Sequence, residues 1–121
     1  VDHPGRDSYR HREAGAQEVI VSSPNRWAVM HELRGEAEPS MMELIAKLAP
    51  VDLILVEGYK RETHPKVECF REAAGRPLMA LENSTIRAVA SDTAHGGLSV
   101  PLMQLDDTRG IADFILQEVG L

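Results

Sequence analysis

Three short stretches of the chain hold residue types whose spacing could support chemistry. In Asp2-His3-Pro4-Gly5-Arg6-Asp7-Ser8, hydrogen-bond acceptors cluster around a Pro-Gly turn that opens a helix. Such a loop can present Asp2 or Asp7 to a metal ion while Arg6 faces an anion, although an ordinary capped helix entry would use the same residues. Glu57-Gly58-Tyr59-Lys60 follows the apolar run Val51-Asp52-Leu53-Ile54-Leu55-Val56. A carboxylate there can hold a divalent cation or its water shell, Gly58 lets a phosphate approach the backbone, and Lys60 adds a point charge. The alternative is a strand-end acid bonded to a neighbouring N–H beside a solvated lysine. Ser91-Asp92 closes another short strand of buried type, residues 86–90. Its carboxylate can accept from the ring N–H and exocyclic amine of a guanine, or it can simply start a turn.

Other chemistries fall away. The five histidines (His3, His11, His31, His64, His95) lack zinc-ligand spacing, and Cys69 is the single cysteine. Neither a structural zinc site nor an internal disulfide is expected, and a lone cysteine fits a reducing compartment. There is no Gly-x-Ser-x-Gly, and Cys69 sits inside a strand-like run, so nucleophilic hydrolase signatures are missing. Thirteen Lys and Arg against nineteen Asp and Glu leave a net charge of −6. A chain of that balance has no counterion-release advantage on nucleic acid. Local basic clusters (Arg6, Arg10, His11, Arg12; Lys60, Arg61) can still meet a phosphate. The longest apolar runs, 53–56 among them, have four residues, far below the roughly 18 of a membrane span, and none is expected.

The elements that must position these residues fit one core: the chain has 121 residues, 43% of them hydrophobic and 26% charged. It opens without an initiator Met or a signal region, and reads as beginning inside a domain. Asp7-Ser8 supplies acceptors for a helix over 9–14 that ends at Gly15. Residues 17–22 read as a strand, and so do 26–33, with Trp27, Val29 and Leu33 on one face. Ser40 with Glu43 has capping-box spacing. The stripe Met41, Ile45, Leu48 then makes a helix that Pro50 stops. The 51–56 run lacks alternation and reads as a central parallel strand buried on both faces. Further strands are expected at 67–70, 86–90 and 100–105, and a turn at Gly75-Arg76-Pro77 leads into 78–81. Asp106 or Asp107 caps a last helix with the stripe Ile111, Phe114, Ile115, Val119. Strands alternating with helices predict a three-layer α/β domain.

Taken together, Asp2-His3-Pro4-Gly5-Arg6-Asp7-Ser8-Tyr9-Arg10-His11-Arg12-Glu13-Ala14-Gly15-Ala16, then Leu53-Ile54-Leu55-Val56-Glu57-Gly58-Tyr59-Lys60, then Ala88-Val89-Ala90-Ser91-Asp92 resemble one family. It is the molybdopterin-guanine dinucleotide biosynthesis protein B (MobB) family, and the closing Ile111-Ala112-Asp113-Phe114 agrees with it. The resemblance implies a P-loop NTPase-like α/β domain with a mainly parallel sheet, of which residues 1–121 form a single, incomplete GTP-binding domain. It also implies GTP and Mg2+ as ligands, a cytoplasmic homodimer, and a partner in the molybdenum cofactor guanylyltransferase. GTP hydrolysis is expected to be weak if it occurs, and no residue is assigned as catalytic. By the same resemblance, Glu57 and Asp7 lie on the magnesium side. Asp2, Gly5, Asp7, Ser8, Gly58 and Lys60 surround the nucleotide's phosphates, and Ser91 and Asp92 lie toward the base. The family's Gly-x-x-x-x-Gly-Lys-Thr/Ser loop does not occur in these 121 residues. That loop cradles the β- and γ-phosphates, so the chain is expected to be N-terminally truncated and to bind GTP weakly by itself.

Two rivals belong to other classes. Leu55-Val56-Glu57-Gly58-Tyr59 also looks like the acidic strand end of Toprim domains, which hold magnesium for phosphoryl transfer on nucleic acid. The second acidic pair needed there is reduced to Asp92 alone, and Asp106-Asp107 is adjacent rather than alternating. The other rival is an interaction module that binds no nucleotide, with Trp27 as an interface anchor or, alternatively, a core or dimer-interface side chain.

Overall fold

The computed structural model describes residues 3–121, so Asp2 lies outside the described residues. The chain gathers into two compact units, Val1–Glu57 and Gly58–Leu121, each with its own strands.

The first unit opens on the expected turn. The Arg6 N–H donates to the His3 carbonyl at 3.1 Å, and Gly5 takes φ 85°. Helix α1 (Asp7–Glu13) follows, with Arg6 in the cap position and no side-chain cap bond. The expected capping by Asp7 and Ser8 is therefore corrected. The turn ends at Arg6, whose extended backbone already starts the helix, so both acceptors fall inside it. Strands β1 (Glu18–Ser22) and β2 (Trp27–His31) pair antiparallel, with Ile20 opposite Val29 and Ser22 opposite Trp27. Ser23 fixes the connection, its Oγ accepting from the Arg26 N–H at 3.2 Å. Alternation puts Val19, Val21, Ala28 and Met30 on the half-buried face, and α1 packs against β1. The opposite face carries Ile20, Val29 and Trp27, and Trp27 is 71% exposed. That removes the reading of Trp27 as a core residue.

Helix α2 (Met41–Ile45) has the predicted cap: Ser40 Oγ accepts the Glu43 N–H at 3.1 Å. Met41 and Ile45, one turn apart, are half-buried, but the helix stops well before Pro50 and leaves Leu48 exposed. A larger correction concerns 51–56. It forms no strand, and among the described residues no backbone hydrogen bond engages 51–57. Val51 and Leu55 are 62% and 73% exposed. The residue types suit a buried strand, but among the described residues no strand pairs with 51–56 to supply the ladder that would fix one.

The second unit is built on three parallel strands, β3 (Lys66–Phe70), β4 (Ile86–Ser91) and β5 (Leu102–Gln104), in that spatial order. The mixed α/β class and the parallel sheet agree with expectation, but the centre of the sheet is β4 and not 51–56. In β4, Ala88, Val89 and Ala90 are wholly buried, with Ile86 and Ser91 nearly so. Only Arg87 turns outward, its Nε donating to Glu118 at 2.7 Å. The β3–β4 crossover contains one short 3-10 turn (Glu72–Ala74), and a turn follows at 80–82. Glu68 pins that crossover, its two carboxylate oxygens accepting the Met79 and Ala80 N–H groups, each at 2.8 Å. Lys66 Nζ pins the chain before β3 by donating to the Glu62 and His64 carbonyls and to Thr85 Oγ1. Helix α3 (Thr108–Glu118) closes the unit, with Asp107 as its cap accepting from the Gly110 N–H at 3.0 Å. Ile111, Phe114 and Ile115 make its half-buried stripe, while Val119 is exposed.

Candidate functional site

The expected site residues fall into three local groups. The first lies on α1. Residues 7, 8 and 11 share one helix face by their i, i+3 and i+4 spacing, and they look across a cleft toward β1. Asp7, Ser8, His3, Arg6 and His11 line one side of it, and the strand lines the other. Asp7 is exposed and sits 3.9 Å from Arg10, a pair too solvated to immobilise either partner. Gly5 supplies the left-handed turn before the helix but does not line the cleft.

The second group is Glu57-Gly58-Tyr59-Lys60. With 51–56 forming no strand, Glu57 is exposed and does not stand at a strand end, which corrects the expectation. The turn itself is unusual: Gly58 has φ 88° and Tyr59 φ 52°. Two consecutive left-handed residues turn the chain sharply, and an aromatic residue accepts that conformation only at a cost of about 1–3 kcal/mol. Glu57, Gly58 and Lys60 are all exposed. Among the described residues, no three His, Cys, Asp or Glu side chains gather as metal ligands.

The third group lies at the carboxyl end of β4, where open α/β sheets place ligands. Ser91 is buried, and its Oγ accepts the Thr93 N–H at 3.0 Å and lies 3.0 Å from His95 Nε2. Thr93 Oγ1 is 3.2 Å from the same nitrogen, and the His95 ring stands edge-on to Phe70, with centroids 4.7 Å apart. Asp92 is exposed, and its Oδ1 accepts the Glu72 N–H at 3.0 Å. One carboxylate oxygen is thereby tethered to the chain beyond β3 while the group faces solvent.

Glu72, Thr93 and His95 are absent from the sequence-derived set. The signal for the last two was local: Thr93 and His95 follow Ser91 by two and four residues, near enough for its hydroxyl to meet both in the bend after β4. Glu72 had no such signal, because only the folded crossover brings it beside Asp92.

The Toprim reading needs an acid at the end of a buried strand, and 51–56 supplies none. Among the described residues no helix is long and apolar enough to cross a membrane. A family model described as molybdopterin guanine dinucleotide synthesis protein B matches residues 1–92. A molybdopterin-guanine dinucleotide biosynthesis adapter protein of Escherichia coli (strain K12) is 42% identical over 120 residues, covering 97% of this chain and 68% of its own length. A protein of the same description from Haemophilus influenzae (strain ATCC 51907 / DSM 11121 / KW20 / Rd) is 36% identical over 120 residues, covering 95% and 64%. The chain thus spans about two thirds of the length of these relatives.

Proposed function

This chain belongs to the molybdopterin guanine dinucleotide synthesis protein B (MobB) family, and from that premise we propose that it is a GTP-binding adapter in the making of that cofactor. The observation that carries the nucleotide part is Asp92: an exposed carboxylate at a parallel-strand end, held by a backbone N–H through one oxygen. Each carboxylate oxygen has two acceptor positions, so the tethered group can still take both the ring N–H and the exocyclic amine of guanine. Buried Ser91 and its bonds to Thr93 and His95 fix the strand end from which Asp92 projects. Adenine presents no matching donor pair, and the proposed selectivity follows from that difference.

Gly58 and Lys60 are proposed on the phosphate side, with Asp7 and Glu57 toward Mg2+. Magnesium is commonly held by one or two carboxylates plus phosphate oxygens and water, so two exposed acids fit it only as part of a nucleotide complex. When bound, the ion would neutralise phosphate charge. The 121 residues include no Gly-x-x-x-x-Gly-Lys-Thr/Ser loop, so affinity is expected to be modest and hydrolysis slight. The partner proposed is the guanylyltransferase that builds the dinucleotide, in the cytoplasm, with this protein acting as a homodimer. The exposed ribbon face of Ile20, Val29 and Trp27 supports the protein contacts, since Trp is a frequent interface anchor.

Calorimetric titration with GTP, ATP and xanthosine triphosphate in magnesium tests the nucleotide part. GTP should bind with a Kd of about 10 μM or weaker, and ATP at least about tenfold more weakly still. Asp92→Asn should lose GTP and prefer the xanthine nucleotide, because the amide offers a donor where xanthine presents a carbonyl. Equal binding of GTP and ATP, or no effect of Asp92→Asn, would overturn it. Sedimentation of the Trp27→Asp variant tests the protein contacts: the dimer and its affinity for the guanylyltransferase should both fall.

A further inference from the structure

A cross-strand pair at the open end of the β1–β2 ribbon sets an imidazole between two carboxylates. His31 of β2 lies opposite Glu18 of β1. Its Nδ1 is 3.7 Å from Glu18 Oε1, within ion-pair reach, and its Nε2 is 3.3 Å from Glu36 Oε2. Glu36 closes the turn that follows β2, where its N–H donates to the Leu33 carbonyl at 2.8 Å. Both central residues of that turn are left-handed, Arg34 at φ 47° and Gly35 at φ 89°. Arginine seldom takes that conformation, so the turn depends on the contacts that hold it. Arg34 donates to the Ala16 carbonyl at 3.1 Å, and Gln17 Nε2 donates to Glu36 Oε1 at 2.9 Å. Both reach back to the residues before β1. The third link is His31, and of the three it alone carries a side chain that changes charge between about pH 5 and 8.

A neutral imidazole has one N–H and one lone pair. It donates to one carboxylate and turns the lone pair toward the other, whereas the imidazolium donates to both. The other charged groups of the elements around it have partners of their own. Arg12 of α1 faces Glu32 at 3.3 Å, and Arg34 is turned to backbone carbonyls. We infer that His31 is a proton latch for the 33–36 turn. Proton uptake binds the turn to β1, and proton loss releases it as pH rises. By alternation, His31 and Glu18 share the exposed ribbon face with Ile20, Val29 and Trp27. Two carboxylates with an imidazolium leave one net negative charge at the border of that face; with a neutral ring they leave two. Docking on the face therefore becomes pH-dependent. That consequence rests on the proposed use of the ribbon for protein contacts; the latch itself does not.

The test uses the whole chain and the backbone Cα relaxation of Arg34, Gly35 and Glu36 at about pH 5.5 and about pH 8, on either side of the histidine range. Order parameters should be about 0.85 at the lower pH and below about 0.6 at the higher, while those of Val19 and Met30 stay fixed. His31→Gln, an exposed change, should remove the pH response. Glu18→Gln should keep the turn ordered at both pH values, because an amide can donate to an unprotonated Nδ1 and the Nε2–H then serves Glu36. Equal order at both pH values in the native chain, a response that survives His31→Gln, or a disordered turn in Glu18→Gln at the higher pH would overturn the latch. Sedimentation at the same two pH values separates the latch from the ribbon reading. A dimer broken by Trp27→Asp, beside a turn equally ordered at both pH values, defeats the latch and leaves that reading standing. A pH-latched turn beside a dimer indifferent to Trp27→Asp does the reverse. Dimer affinity that shifts between the two pH values in the native chain and not in His31→Gln supports both.

Discussion

Two apolar runs of this chain look alike as text and differ completely as structure. Residues 86–91 form β4, flanked by β3 and β5, with Ala88, Val89 and Ala90 at zero exposure. Residues 51–56 are at least as rich in β-branched and aliphatic side chains, yet they form no strand and make no backbone bond among the described residues. Strand propensity describes how well a side chain fits a pleated, half-covered surface; it does not supply the surface. For β4 that surface is delivered by crossovers pinned at Glu68 and Lys66. For 51–56, nothing in the described chain delivers it.

The largest expected effect tests that contrast directly. Val89→Asp buries a charge at the centre of the parallel sheet and should destabilise the second unit by more than about 4 kcal/mol in urea unfolding, whereas Leu55→Asp should change stability by no more than about 0.5 kcal/mol. Equal effects would mean that 51–56 is covered in solution. Next in size is Glu68→Ala, which leaves the Met79 and Ala80 N–H groups without their acceptor. Its cost should be about 2–3 kcal/mol, read from the same denaturation curves. Asp107→Ala removes the cap of α3 and should cost about 1 kcal/mol, with a matching loss of helical circular dichroism. The smallest change in energy is also the sharpest in location. Amides at 51–57 should exchange hydrogen at nearly unprotected rates while those at 88–91 exchange only on global opening.

Much of the molecule was legible because its determinants are local. Ser40 with Glu43 and the Asp106-Asp107 pair announced helix starts, and a cap depends on three or four consecutive residues. The apolar residues Ile86, Ala88, Val89 and Ala90, interrupted by Arg87, announced a short buried strand. What stayed illegible depends on neighbours far along the chain. The fate of 51–56 turns on a pairing partner, the short α2 on what its apolar side meets, and the exposure of Trp27 on what covers the ribbon. In the candidate site, Ser91 and Asp92 could be singled out by their place after a strand. The tether from the Glu72 N–H and the edge-on Phe70–His95 contact could not, since each joins residues about 20 positions or more apart.

The tandem left-handed pair Gly58-Tyr59 opens the second compact unit, immediately after the unbonded stretch. A protease meeting this chain therefore finds, beside the boundary between the two units, a stretch with no backbone hydrogen bond among the described residues. Brief digestion should release fragments of 1–57 and 58–121, the latter still carrying all three parallel strands. Rejoined by peptide ligation, such halves would allow isotope labels in one unit at a time, so the α1 cleft and the Asp92 strand end could be watched independently during a single titration.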